Sequence, residues 1–248
     1  MSQKAMLWRR KLSAAIERSP HFYRSVMVFR YRNVPFVRRI VSRGHDIVIE
    51  GFPRCANSFA VSAFALANGC RDPRVATHMH SPAQVVLAAE WNIPTILNIR
   101  APSKAIPAFM AFAGKLGKID ATQLSTADKH AWVTEQTLRF ARFYETTTPL
   151  HKHYVLSTFQ QTTQDFGKVI AQVNERFDCD FDIFQHTDEN VQKIFDYRAS
   201  HLSPDASRDN FKAEYAEIYA GKNNASARQR AEDIYLSALN KSQIEVPD

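Results

Sequence analysis

One stretch, Asp46 to Asn68 (DIVIEGFPRCANSFAVSAFALAN), constrains the fold more than any other part of the chain. Asp46 to Glu50 carries a β-branched apolar run that reads as a buried strand. A tight polar turn follows, Gly51-Phe52-Pro53-Arg54-Cys55-Ala56. A small-residue helix then starts at Asn57 and Ser58, residue types that favour helix N-termini, and continues from Phe59 to Leu66. Strand, turn and helix N-terminus in that order aim backbone N–H groups and a positive dipole end at an anion. The spacing of GFPRCANS is that of the P-loop pattern G-x-x-x-x-G-K-[ST], with Ala56 at the second Gly and Asn57 at the Lys. The lysine that reaches terminal phosphates is missing, which argues against an NTPase. The loop's only cation is Arg54.

Around this unit, 248 residues suffice for one α/β domain with a substantial core, and the expected fold is a central parallel sheet of about four to five strands flanked by helices. Residues 46–248 make that domain, and residues 1–45 a basic helical extension. In the extension Leu7, Trp8, Leu12, Ala15 and Ile16 give one apolar face among Arg9, Arg10, Lys11 and Arg18. A second helical run, Phe22 to Val41, mixes aromatics with Arg24, Arg30, Arg32, Arg38 and Arg39. Two readings are open for these helices: packing on the core with solvated arginines, or contact with a membrane surface or polyanion. The net charge of +7 calls for an anionic partner, whether nucleotide, nucleic acid, glycan or lipid. Three cysteines (Cys55, Cys70, Cys179) without metal spacing suit neither a disulfide framework nor zinc. No apolar run approaches the roughly 18 residues of a membrane span, and no leader pattern opens the chain, so a cytoplasmic protein is expected.

Downstream, Val75 to His80 reads as a short strand before a helix from Ser81-Pro82 to about Glu90. A lone histidine at a strand end is usually structural; two at i and i+2 beside such a loop point to base chemistry. His78 and His80 on one strand face would also suit a metal, but no third ligand is apparent. Pro94 to Arg100 is the next buried strand, and a helix starts at Pro102. An arginine at a strand's carboxyl end either contacts ligand or pairs with a carboxylate. Leu124 to Glu145 reads as an amphipathic helix, His151 to Ser157 as a strand, and Asp165 to Arg176 as a helix. Asp178 to Glu189 has calcium-loop spacing, but Ile183 stands where the turn needs Gly.

Pro53 to Phe59 resembles the donor loop P-K-S-G-T-T-W of the sulfotransferases, with Arg54 for Lys, Cys55 for Ser, Asn57 and Ser58 for the threonines and Phe59 for Trp. Thr77-His78 matches the T-H of that family's catalytic K-[TS]-H-x-P stretch, with Ala76 at the Lys and the Pro displaced to Pro82. Arg100 and Pro102 match its R-[ND]-P-x-D-x-x-x-S element, although Ala101 and Lys104 depart and Ala108 stands at the Ser. Ser103 is the hydroxyl that would compensate. The segment His201 to Lys212 stands where the family places a mobile basic lid, matching by order and residue type only. The resemblance covers residues 46–212 and implies a P-loop-like sulfotransferase fold. It implies sulfuryl transfer from 3′-phosphoadenosine 5′-phosphosulfate to a hydroxyl or amine of a glycan, lipid or small alcohol, releasing adenosine 3′,5′-bisphosphate without a metal. By that resemblance Pro53 to Ser58 would hold the phosphosulfate, and Arg54 would neutralise leaving-group charge. His78, or His80 beside it, would be the base, and Phe59 would stack on adenine. Arg100 with Ser103, Arg208 and Lys212 would hold the 3′-phosphate end. The alternatives are a P-loop kinase and a non-catalytic nucleotide- or polyanion-binding protein. A cysteine phosphatase built on Cys55 would need Arg where Val61 stands.

Overall fold

A computed structural model describes Glu17 and residues 19–69, 73–115, 124–197 and 206–246. The predicted first helix up to Ile16, Cys70 and residues 201–205 of the lid segment lie outside the described residues. Four strands, β1 (Ile47–Gly51), β2 (Val75–Thr77), β3 (Thr95–Ile99) and β4 (Val155–Thr158), form one all-parallel sheet in the order β2-β1-β3-β4. The helices among the described residues are α1 (Pro20–Tyr31), α2 (Asn57–Asn68), α3 (Pro82–Glu90), α4 (Pro102–Lys115), α5 (Thr126–Thr147), α6 (Phe159–Gln164), α7 (Phe166–Phe177), α8 (Asp188–Tyr197), α9 (Ala206–Ala220) and α10 (Ala225–Lys241).

Every residue of β1, β3 and β4 is buried, which is why these strands read as continuous apolar runs rather than alternating ones. Ile47, Ile49, Ile96 and Val155 lie under α2 and α7, against Phe59, Phe64, Phe166 and Ile170. On the opposite face Val48 packs with Leu87 and Ala88 of α3, while Leu97, Ile99 and Leu156 join Phe140, Tyr144 and the C-terminal helices. The connection through α2 therefore runs on one face and the connection through α3 on the other. Strand order reverses beside β1, and the crevice at the carboxyl ends of β1 and β3 is the topological switch point. The fold expected from the 46–68 unit is present, with four strands.

The basic extension is attached on the α3 side. Tyr23 of α1 is buried, Arg24 Nε donates to the Val41 carbonyl at 2.8 Å, and His21 meets Glu90 at 2.8 Å. Gln84 of α3 accepts from Val41 N–H and donates to the Arg39 carbonyl, both at 2.8 Å. Among the described residues no helix is long and apolar enough to cross a membrane.

Two local expectations are corrected. Thr148–His153 is a 3-10 helix, and the strand begins only at Val155, because Pro149 at its start favours helical φ. The strand from Val75 stops at Thr77 rather than His80, since the carboxylate of Glu50 captures the next backbone N–H groups. Close approach of β1 to β3 also has a sequence cause. A Cβ on Gly51 would overlap the Asn98 carbonyl oxygen and sit 2.9 Å from Asn57 Oδ1. Gly51→Ala is expected to cost about 1–3 kcal/mol by overpacking, measured by urea denaturation.

Candidate active site at the switch point

The loop leaving β1 is held from beneath by a buried polar network. Asn57, only 4% exposed, donates through Nδ2 to the carbonyls of Gly51 (3.2 Å) and Phe52 (3.0 Å). Asn98 of β3 donates to Asn57 Oδ1 at 3.0 Å, and Thr162 of α6 donates to Asn98 Oδ1 at 3.0 Å. Tyr144 of α5 donates to the Asn98 carbonyl at 2.7 Å and accepts from Phe52 N–H at 3.2 Å. The residue at the P-loop lysine position thus braces the loop from inside, and its side chain is committed there.

That bracing fixes an unusual backbone. Arg54 and Ala56 both have left-handed φ values, 69° and 67°, at a cost of about 1–2 kcal/mol for each non-glycine residue. A left-handed residue next to a right-handed one turns successive N–H groups into a concave anion-binding nest. Ala56 precedes α2 without capping it by a side chain, and the N–H groups of Ala56, Asn57, Ser58 and Phe59 make no hydrogen bond among the described residues. The positive end of a 12-residue helix stands open there.

Two guanidinium groups flank the nest. Arg54 lies over the Phe112 ring of α4 at 4.7 Å. Arg100, just after β3, donates to the Arg54 carbonyl at 3.4 Å and covers the Phe159 ring at 3.8 Å. Burial pulls the Arg100 guanidinium below its ordinary pKa, and no acid among the described residues pairs with it.

The remaining sequence-derived candidates separate. Pro53 and Cys55 are buried in the turn, and Cys55 lies 3.7 Å from the Tyr144 hydroxyl. Burial pushes its thiol up to about 12, which removes the thiolate a phosphatase would need. Phe59 is corrected: its ring is 3% exposed in the core, against Phe184 and His186, because α2 turns that face onto the sheet. It presents no face to an adenine. Ser103 is exposed in the first turn of α4. Lys212 is exposed on α9, which packs on α4, and no hydrogen bond or ion pair among the described residues ties it to the loop. The side chain of Arg208 lies outside the described residues.

The histidines sit on the other side of the nest, and the expectation that they share a strand face is corrected. Both leave the strand in left-handed conformations, φ 58° for His78 and 50° for His80, with their rings edge-to-face at 5.7 Å. Glu50 shapes this turn: its fully buried carboxylate accepts from Met79 N–H (2.7 Å), His80 N–H (3.1 Å) and Gly51 N–H (3.3 Å). His80 spends Nδ1–H on the Gly51 carbonyl at 2.8 Å. His78 has a different arrangement. Thr77 Oγ1 donates to the Ile49 carbonyl at 2.7 Å, so it accepts from His78 Nδ1–H at 2.9 Å. That leaves Nε2 as an acceptor, 3.1 Å from Ser58 Oγ.

Glu50, Asn98 and Tyr144 were not legible as site residues. For Glu50 a signal existed: one acid closing an apolar strand directly before the loop glycine. No protein-family model, curated protein or solved structure matches this chain. What the site can do rests on its own geometry: an open helix N-terminus, an arginine that no acid among the described residues pairs with, and a histidine held between Thr77 and Ser58.

Proposed function

We propose that this protein transfers a sulfuryl group from 3′-phosphoadenosine 5′-phosphosulfate to an acceptor hydroxyl or amine. One observation carries the reading: Ser58 belongs both to the open N-terminus of α2 and to the hydrogen bond that holds His78 Nε2. Anion cradle and base therefore meet within one hydrogen bond, the reach that general-base catalysis requires. The residues present fit the phosphosulfate end of the donor, through N–H groups that make no hydrogen bond and an Arg100 that meets no acid among the described residues. When bound, the donor supplies an electrophilic sulfur and a phosphate leaving group.

The chain's own residues then have separable tasks. The N–H groups of Ala56 to Phe59 hold anionic oxygens at the helix end. Arg54 and Arg100 offset negative charge as it grows on the leaving side, an electrostatic effect that is strongest in the transition state. His78 keeps its proton on Nδ1 through Thr77 and offers Nε2 to the attacking hydroxyl. A kinase reading is disfavoured, because Asn57 cannot turn toward a terminal phosphate without leaving three buried partners. The burial of Phe59 and the lack of a hydroxyl at Ala108 favour, as a second reading, a polyanion-binding protein without turnover.

Thermal unfolding in the presence of nucleotides separates these readings. Adenosine 3′,5′-bisphosphate near 100 times its Kd is expected to add about 2.7 kcal/mol of stability, and ATP with magnesium markedly less. Equal stabilisation by ATP would favour the kinase. Stabilisation by heparin and inorganic polyphosphate, but by no nucleotide, would favour the polyanion binder.

A further inference from the structure

We propose that Ser58 is a nucleophile of this site, with His78 as its base, and that it takes the sulfuryl group covalently before an acceptor does. The identity of the group rests on the donor reading above; the nucleophile does not.

Nucleophile, base and orienting group form one directed chain. Thr77 has a single hydroxyl proton, and the Ile49 carbonyl at 2.7 Å takes it. A neutral His78 then donates from Nδ1 to Thr77 and turns its Nε2 lone pair to Ser58, 3.1 Å away. Ser58 therefore points its proton at a base whose orientation a third group fixes, the arrangement that activates serine on unrelated folds. Ser58 is the second residue of α2, past the cap position that Ala56 fills, and His78 is the only hydrogen-bond partner of its hydroxyl among the described residues. The backbone is strained to keep this contact. His78 holds a left-handed φ of 58°, in a turn pinned by the buried Glu50 through Met79 N–H. Ser58 and His78 are both partly exposed, so a substrate reaches them.

The step balances. Ser58 Oγ attacks sulfur and its proton passes to His78 Nε2; the Oγ–S bond forms as the bridging S–O bond breaks. The electron pair leaves on the 5′-phosphate oxygen of adenosine 3′,5′-bisphosphate, and His78 gives its proton to water. In the second half-reaction the acceptor oxygen or nitrogen attacks sulfur and His78 takes its proton; the acceptor–S bond forms as the Oγ–S bond breaks, and His78 returns the proton to Ser58 Oγ. Without an acceptor, the serine sulfate ester accumulates.

The test uses the full chain in two arms, sulfur-labelled donor without acceptor and phenylmethanesulfonyl fluoride, each followed by peptide mass mapping. The expected result is one sulfuryl or sulfonyl group on the Ser58 peptide. It is absent in Ser58→Ala and forms on the order of 10²-fold more slowly in His78→Ala. Thr77→Val, which keeps both reacting side chains, should slow labelling and alter its pH profile. A label from the sulfonyl fluoride but not from the donor keeps the nucleophile and overturns the donor reading. Undiminished transfer to acceptors by a folded Ser58→Ala overturns the nucleophile and leaves the donor reading standing. No Ser58 label in either arm also overturns the nucleophile.

Discussion

Replacing His78 with Ala is expected to lower turnover by on the order of 10²–10⁴-fold while adenosine 3′,5′-bisphosphate still stabilises the fold. The imidazole touches the site through Ser58 and Thr77, whereas the cradle is built by Asn57, Asn98 and Tyr144 beneath the loop. Loss of the ring removes the base without removing a brace of the nest. His80→Ala should be milder in turnover, because its Nδ1–H is committed to the Gly51 carbonyl and acts by holding the loop. Activity should fall on acidification as the His78 lone pair is protonated. Transfer of label from donor to acceptor, with thermal shift run in parallel, checks all three. A His78→Ala enzyme with undiminished turnover would remove the base assignment.

How much of this was legible depended on whether a residue's task is local. The strand, turn and helix of 46–68 were readable because β-branched apolar runs and small helix formers state their own period. The cradle's position followed from the same unit. What Asn57 does was not readable, because its partners Gly51 and Phe52 are near in sequence while Asn98 comes from another strand. A missing lysine looked like a lost contact; it is a brace. Phe59 misled for a related reason. Motif register gives the order of residues along α2, but which face meets the sheet depends on Phe184 and His186, over 120 residues later. The histidine turn failed as a strand because Glu50 competes for Met79 and His80 N–H groups, a tertiary contact that outweighs local alternation. Arg100 was placed by a rule that needs no tertiary knowledge, since strand carboxyl ends at a switch point face the crevice.

Glu50 gives the last prediction its sign. Burial raises its carboxyl from 4.5 to about 7, against the pull of hydrogen bonds from Met79, Gly51 and His80 N–H and from Gln84. The folded pKa therefore lies above the unfolded one. Between those values the native state keeps a proton that the unfolded chain has released, so stability must fall as pH rises through this window and level off above it. The full shift corresponds to about 3 kcal/mol. Urea denaturation of the wild type at about pH 5 and about pH 8 measures it. Glu50→Gln should be less stable throughout, since one oxygen acceptor becomes an amide NH2 donor facing N–H donors, yet it should lose this part of the slope. Only the difference between the two proteins is diagnostic, because the raised carboxyl of Glu17 tilts the curve the same way. An identical slope in both would show that Glu50 does not titrate there. Activity should run opposite to stability across the same window: the ionised carboxylate grips the 79–80 backbone with charge-assisted bonds and holds the His78 turn in place while the fold as a whole weakens.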